Sequence, residues 1–344
     1  MSVVPVTDCG PVDFDAVWQH YLDAGFLYPA KLANLEPLLP LIRETWPRLL
    51  AAPPEILQFF AAGNPSGVSA SVSLLRDTEE TFIIMHAVSQ KDPTEMYQCL
   101  LKMIESINQQ PSYRYAAMFF RPRNRWPRAL QSSFFAVYPQ DKQAVITRRY
   151  LTCHKPAERA FSGIELTQED PAEVAAFLRN LLGSVLSGSL GMDAPPLNLR
   201  EVDQLYSFAG LRRKRTILGV RENGELVGVA LCHYCSALAN FSGLCSRAEI
   251  HVSPHVQHRA DTVRTLATGA ISEAAKHGNP LSTLLILPED APFAVEAGWT
   301  DTQKDYSYFV WERESKFGWD SAFLALQEMY EAIERRRSRQ ERSL

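Results

Sequence analysis

The sequence predicts a mixed α/β protein of two tandem halves, each a mixed central sheet flanked by helices. Three observations predict it. Apolar runs of strand length alternate with segments of helical spacing along the chain. The same order of elements recurs, weakly, in the two halves. The length, 344 residues, suits two domains that can each bury a core. The expected division is 1–155, 156–314, and a C-terminal amphipathic helix with a basic tail over 315–344.

The second half is the clearer. A leading strand is expected at Gly163 to Leu166, with helices at Glu169 to Leu186 and Leu199 to Ala209. Arg215 to Cys232 reads as two strands joined at Asn223-Gly224, a pair that tolerates the positive φ angles of a tight hairpin. A strand at Glu249 to Val252 enters a polar turn, and a helix follows from Thr262 to His277, closed by Gly278-Asn279-Pro280. Leu281 to Leu287 has the length of a buried strand, Pro288 to Gly298 reads as a short helix, and Tyr306 to Trp311 as the last strand.

In the first half, Gly25 to Pro29 is expected as a leading strand, and Leu35 to Phe60 as helices interrupted by prolines. Strands follow at Gly67 to Leu75 and Thr81 to Val88. Asp92-Pro93 then opens a helix, because an Asp N-cap with proline in the first turn is a strong start signal. Tyr113 to Phe120, Trp126 to Phe135 and Gln143 to Leu151 complete the half as strand, helix and strand.

A helix that starts just after a buried strand presents unpaired backbone N–H groups and the positive end of its dipole, which suits a pyrophosphate. The stretch Val252-Ser-Pro-His-Val-Gln257-His-Arg-Ala260-Asp-Thr262 has this form. It resembles the GCN5-related N-acetyltransferase (GNAT) family, over roughly Ser162 to Glu312. The family's turn follows Arg/Gln-x-x-Gly-x-Gly/Ala after a Val-x-Pro lead. Val252-Ser-Pro254 matches the lead and Gln257 the first position, while Ala260 and Thr262 stand where glycines usually stand. The resemblance implies acetyl-coenzyme A or another acyl-coenzyme A as cofactor, held by Val252, Gln257, His258, Arg259, Ala260, Asp261 and Thr262. Many members place a tyrosine as general acid where this chain has Ala294, so Tyr308 on the last strand is the candidate substitute. The first half carries no such turn and reads as a degenerate copy.

Glu249 and His251 share one face of their strand, because side chains alternate with period two. A carboxylate or imidazole there can take the proton of an attacking amine, so both are candidate catalytic bases. Arg121, Arg123, Arg125 and Arg128 surround Trp126 where the first half would have its cleft, a set suited to phosphate, carboxylate or nucleotide. Leu211-Arg-Arg-Lys-Arg-Thr216 could face an acidic partner or the adenosine phosphate.

A net charge of −4 argues against general nucleic-acid binding, and no apolar run approaches the ~18 residues of a membrane span. The start of the sequence does not read as a signal peptide, so a cytoplasmic location is expected. Six scattered cysteines form no disulfide framework. Cys232 and Cys235, three apart on a strand, would point to opposite faces, so no metal site is expected. Two functions follow. One is acyl-coenzyme A-dependent N-acyl transfer, most simply N-acetylation, to an amine on a small molecule or protein, through the second half. The other is a non-catalytic scaffold or regulatory protein that recognises a phosphate-bearing ligand or a protein, the latter through the Arg121–Arg128 cluster or the C-terminal helix. Oligomerisation is left open.

Overall fold

A computed structural model describes residues 13–64, 67–90, 93–110, 113–137, 140–166, 171–193 and 196–313, with isolated positions beyond. The C-terminal helix expected over 315–344 lies outside the described residues but for those positions.

The first half contributes β1 (Leu57–Asn64), β2 (Gly67–Arg76), β3 (Thr81–Ser89), β4 (Tyr115–Phe120) and β5 (Gln143–His154). The second contributes β6 (Ile164–Glu165), β7 (Arg213–Glu222), β8 (Glu225–Cys235), β9 (Arg247–Val252), β10 (Leu281–Ile286) and β11 (Thr300–Glu312). All join one eleven-stranded sheet in the order β1-β2-β3-β4-β11-β5-β10-β9-β8-β7-β6. The neighbours β3/β4 and β9/β10 are parallel.

The halves exchange their last strands. β11 pairs with β4 of the first half and β5 with β10 of the second, while β5 and β11 pair with each other. Thr147 and Ser307 clasp across that central pair at 2.9 Å. Each half therefore completes the other's sheet, and neither keeps an open central edge.

Helices α1 (Phe14–Asp23), α2 (Pro29–Leu35), α3 (Leu39–Leu50), α4 (Pro93–Gln109) and α5 (Arg125–Val137) belong to the first half. Those of the second are α6 (Pro171–Leu182), α7 (Ser184–Ser189), α8 (Arg200–Phe208), α9 (Arg259–Lys276) and α10 (Ala291–Glu296). Apolar side chains of α4 and α5 bury against β2 to β4 and β11, and those of α9 and α10 against β8 to β10. A third core gathers α6, α7 and α8. A fourth gathers α1 to α3 under the loop 236–246 that joins β8 to β9, where Trp46 Nε1 donates to Leu238 O at 3.1 Å.

Three local expectations are corrected. Gly25 to Tyr28 is a turn, not a strand: Gly25 takes φ 68, Leu27 N–H bonds Tyr21 O, and Pro29 opens α2. Leu57 to Phe60 is strand rather than helix, because the chain leaves α3 before Pro53-Pro54 and the following residues pair with β2. The helix read from Glu169 to Leu186 is two helices, broken at Gly183 with φ 80. The hairpin turn is as expected, with Asn223 at φ 51 and Gly224 at φ 86.

Candidate functional site

The sheet has two places where parallel neighbours part. In the first half, β3 and β4 pair from Thr81↔Tyr115 to Ile84↔Met118 and then diverge. Beyond this point β3 bulges: Ser73 faces Met85, Ser71 faces Val88, and His86 adopts φ 51. A left-handed residue between strands re-aims the backbone.

The space so opened is a cavity of about 710 Å³. Its walls are mainly apolar, with Met118, Phe119 and Phe241 among them, and α2 and the loop 236–246 close its sides. Among the described residues its lining includes Lys31, Arg121 and Lys304 but no aspartate or glutamate. Arg121 Nη2 donates to Tyr28 Oη at 3.0 Å, and its guanidinium lies 6.0 Å from the centre of the Tyr306 ring. Lys31 Nζ stands 3.6 Å over the Phe26 ring. Burial, followed by the nearby Arg121 charge, pushes the Lys31 amine down to about 7. His86 stacks on Phe241 with ring centres 5.0 Å apart, and its Nε2 accepts the Phe241 N–H at 3.3 Å. Burial, then Lys31, holds this imidazole well below its usual range, so it is neutral and carries its proton on Nδ1.

In the second half, β9 and β10 pair from Thr283↔Arg247 to Leu285↔Glu249 and then part. Here side chains are bonded onto the turn and beside it. Glu222, at the end of β7, places its carboxylate on the turn: Gln257 N–H and His258 N–H each donate to it at 3.2 Å. The anion facing these amides is thus the protein's own. Arg259 forms a two-pronged pair with Asp290, at 2.7 Å for both contacts. Thr262 is buried, and a Cβ built on Gly228 of β8 would lie 2.7 Å from its Cγ2. The β-branched residue standing where a glycine is usual therefore fits because a glycine faces it. Ala260 is partly buried, Asp261 is exposed and paired with Arg264, and Val252 is core.

Glu249 and His251 do share a face, with Oε2 and Nε2 3.9 Å apart. Both are buried, and neither lines the cavity. Glu249 Oε1 accepts from Arg247 Nε at 2.6 Å. Arg247 in turn reaches Asp77 at 3.0 Å, and Asp77 also pairs with Arg213. Among the described residues the His251 ring nitrogens have no hydrogen-bond partner, and burial, then the Arg148 charge, pushes the imidazole down to about 3. Tyr308 stands apart from this pair, stacked on Phe119 at 4.4 Å with its hydroxyl donating to Ser189 Oγ at 3.4 Å.

The basic stretch at 211–216 resolves into two kinds of residue. Arg213 and Arg215 are buried, Arg213 on Asp77 and Arg215 on the carbonyls of Leu190 and Leu197, so neither is free for a partner. Lys214 and Arg212 face solvent. Of the other cluster, Arg121 enters the cavity, Arg123 and Arg128 are exposed, and the Arg125 side chain lies outside the described residues. Lys31, His86 and Lys304 carried no sequence signal: Lys31 and His86 have apolar neighbours that read as core, and Lys304 lies in a polar stretch.

No family model and no curated protein matches the sequence. Solved structures do. A Drosophila protein is similar at 15% identity and TM-score 0.46, over 91% of this chain and 99% of its own. A tandem GNAT protein from the clavulanic acid biosynthesis pathway is similar at 14% identity and TM-score 0.41, over 90% and 98%. A GNAT-family acetyltransferase from Colwellia psychrerythraea is similar at 12% identity and TM-score 0.39, over 91% and 100%. The resemblance to GNAT acetyltransferases, a tandem one among them, is a resemblance of fold.

Proposed function

We propose that the protein binds an anionic ligand with an apolar body, of the acyl-coenzyme A class, in the first-half cavity. Residues 1–155 supply most of its walls, and 156–314 supply the covering loop and the exchanged strand. The observation that carries this reading is a cavity wall that, among the described residues, has three basic side chains, Lys31, Arg121 and Lys304, and no carboxylate. Partly desolvated cations are costly without a counter-charge, so the wall favours an anion. A phosphate gives a guanidinium a planar, two-pronged partner, and the apolar wall suits an acyl chain. The volume falls within the range of small-ligand sites. The resemblance of the turn at Val252 to Thr262 suggests the coenzyme A class.

Calorimetry with acetyl-coenzyme A and a longer acyl-coenzyme A tests this. Wild type is expected to bind, and Arg121→Ala to bind about 10- to 100-fold more weakly, the loss of one charge-assisted contact. Absence of binding, or binding indifferent to Arg121, overturns it.

A second reading keeps acyl transfer to an amine in the second half, with Glu249 or His251 as base, Tyr308 as acid and the turn from Val252 to Thr262 holding the cofactor. What favours it is the convergence of the Gln257 and His258 amides on a single carboxylate, which is how an anion-binding turn behaves. It requires Glu222 to leave.

A further inference from the structure

We infer that Lys31 is an acyl acceptor: its amine takes the acyl group of a thioester held in the first-half cavity and becomes an amide on the protein itself. The inference rests on the cavity being a chamber for such a ligand. Lys31 reaches the cavity from the first turn of α2, beside Tyr28, whose hydroxyl holds Arg121. Its Nζ lies on the Phe26 ring, and among the described residues no carboxylate pairs with it and no hydrogen bond occupies it. A lysine of this kind differs from a surface lysine, which is charged and carries no lone pair at neutral pH. With its ionisation moved to about 7 by burial and then Arg121, about half of its population is the free amine at neutral pH.

The step balances. The Nζ lone pair attacks the thioester carbon, a C–N bond forms, the C–S bond breaks, and the sulfur leaves with the electron pair. The amine's proton ends on the thiol. Arg121, already at the cavity wall, is placed to receive the negative charge that develops on the carbonyl oxygen. The titratable groups sharing the cavity, among the described residues, are Arg121 and Lys304, the imidazoles His86 and His154, the Cys245 thiol, Tyr28 just before α2, and tyrosines of α4, β5 and β11. Among the described residues none of these is a carboxylate that would pull the amine back toward its charged form. Acylation removes one of the cavity's three cations, so a modified chain has a weaker hold on the next anion.

The experiment follows acylation of the full-length chain by peptide mass spectrometry between pH 5 and 9, using acetyl-coenzyme A and, separately, S-acetyl-N-acetylcysteamine, a thioester without the nucleotide. Lys31 is expected to be acetylated about tenfold or more faster at pH 7 than Lys304, the internal control on the same wall. Its rate should level off above about pH 7, whereas surface lysines continue to rise. Lys31→Arg, which stays charged and has no nucleophilic amine, should abolish the modification. Calorimetry separates the two claims. Binding of acetyl-coenzyme A without preferential Lys31 acetylation by either donor overturns the acceptor and leaves the cavity reading standing. Acetylation by the truncated thioester alone, with no coenzyme A binding, overturns the ligand class and supports the acceptor. Acetylation spread evenly over the lysines overturns the acceptor.

Discussion

The two partings of the sheet begin alike and finish differently. Both lie between parallel neighbours that pair for three or four residues and then separate. In the first half a left-handed histidine widens the gap, and what lines it, among the described residues, is apolar, neutral polar or basic. In the second half β8 and β9 stay in straight register to Gly228↔Val252, Glu222 accepts two amides of the turn, Arg259 pairs with Asp290, and Thr262 packs against Gly228. The lesson is that strand divergence only offers a site. Side chains brought in from distant elements decide whether it stays open.

The two partings are joined by one buried carboxylate, and removing it should have the largest effect. Asp77, on the turn between β2 and β3, receives Arg213 of β7 and Arg247 of β9, all three almost wholly enclosed. Burial alone would raise the Asp77 carboxyl, but the two guanidinium groups outweigh it and hold it below its ordinary value. Asp77→Ala leaves buried Arg213 without a counter-charge and strips buried Arg247 of one of its two carboxylates, and we expect about 3–5 kcal/mol of lost stability in chemical denaturation. Glu249 would then be the remaining partner of Arg247. A loss below about 1 kcal/mol would mean that packing, not this junction, couples the halves.

A closed second parting should also show in the pH dependence of stability. His251 is neutral and enclosed in the folded chain, pushed to about 3, whereas an unfolded histidine titrates near 6.5. A lowered folded value means that the unfolded chain takes up the proton first as pH falls. Stability from this group is intact above about 6.5 and declines between about 6.5 and 3, by about 2 kcal/mol at pH 5. Burial lowers His86 and His233 in the same direction, so the acid limb is shared. His251→Leu should remove roughly its own share of the slope. An unchanged limb would mean that water reaches the imidazole and that the second parting is less closed than the first.

Much of the fold was legible because its signals are local. Alternation gave β2 and β3, an Asn-Gly pair gave the turn between β7 and β8, and proline in the first turn gave α4. The exchange of β5 and β11 had no local signature, since either strand satisfies the same apolar pattern beside either partner. The site was legible in outline and not in content. Gln257 and His258 were recognisable as an anion-accepting turn, but Glu222, 35 and 36 residues away, was not recognisable as its occupant. Arg121 stood out in a basic cluster, whereas Lys31 reaches the same wall only because α2 folds over the parting. Arg213, expected to face an acidic partner or the adenosine phosphate, is instead buried on Asp77, 136 residues earlier.

Glu222 is where the comparison can be sharpened at the least cost to the fold. Its carboxylate is partly exposed and accepts two amides at the start of α9, so Glu222→Ala should lower stability by only about 0.5–1 kcal/mol, the scale of a cap or helix-dipole contact. Binding is the sharper readout. The variant should be combined with Arg121→Ala, which weakens the first-half cavity, and titrated with acetyl-coenzyme A and with inorganic pyrophosphate. If the double variant regains affinity that Arg121→Ala alone has lost, the amides at Gln257 and His258 are a working anion site held shut by the chain's own carboxylate, and both partings can take a ligand. If affinity stays lost, the bulk of Thr262 and the Arg259–Asp290 pair close the second parting without Glu222's help, and the first half alone has kept its opening.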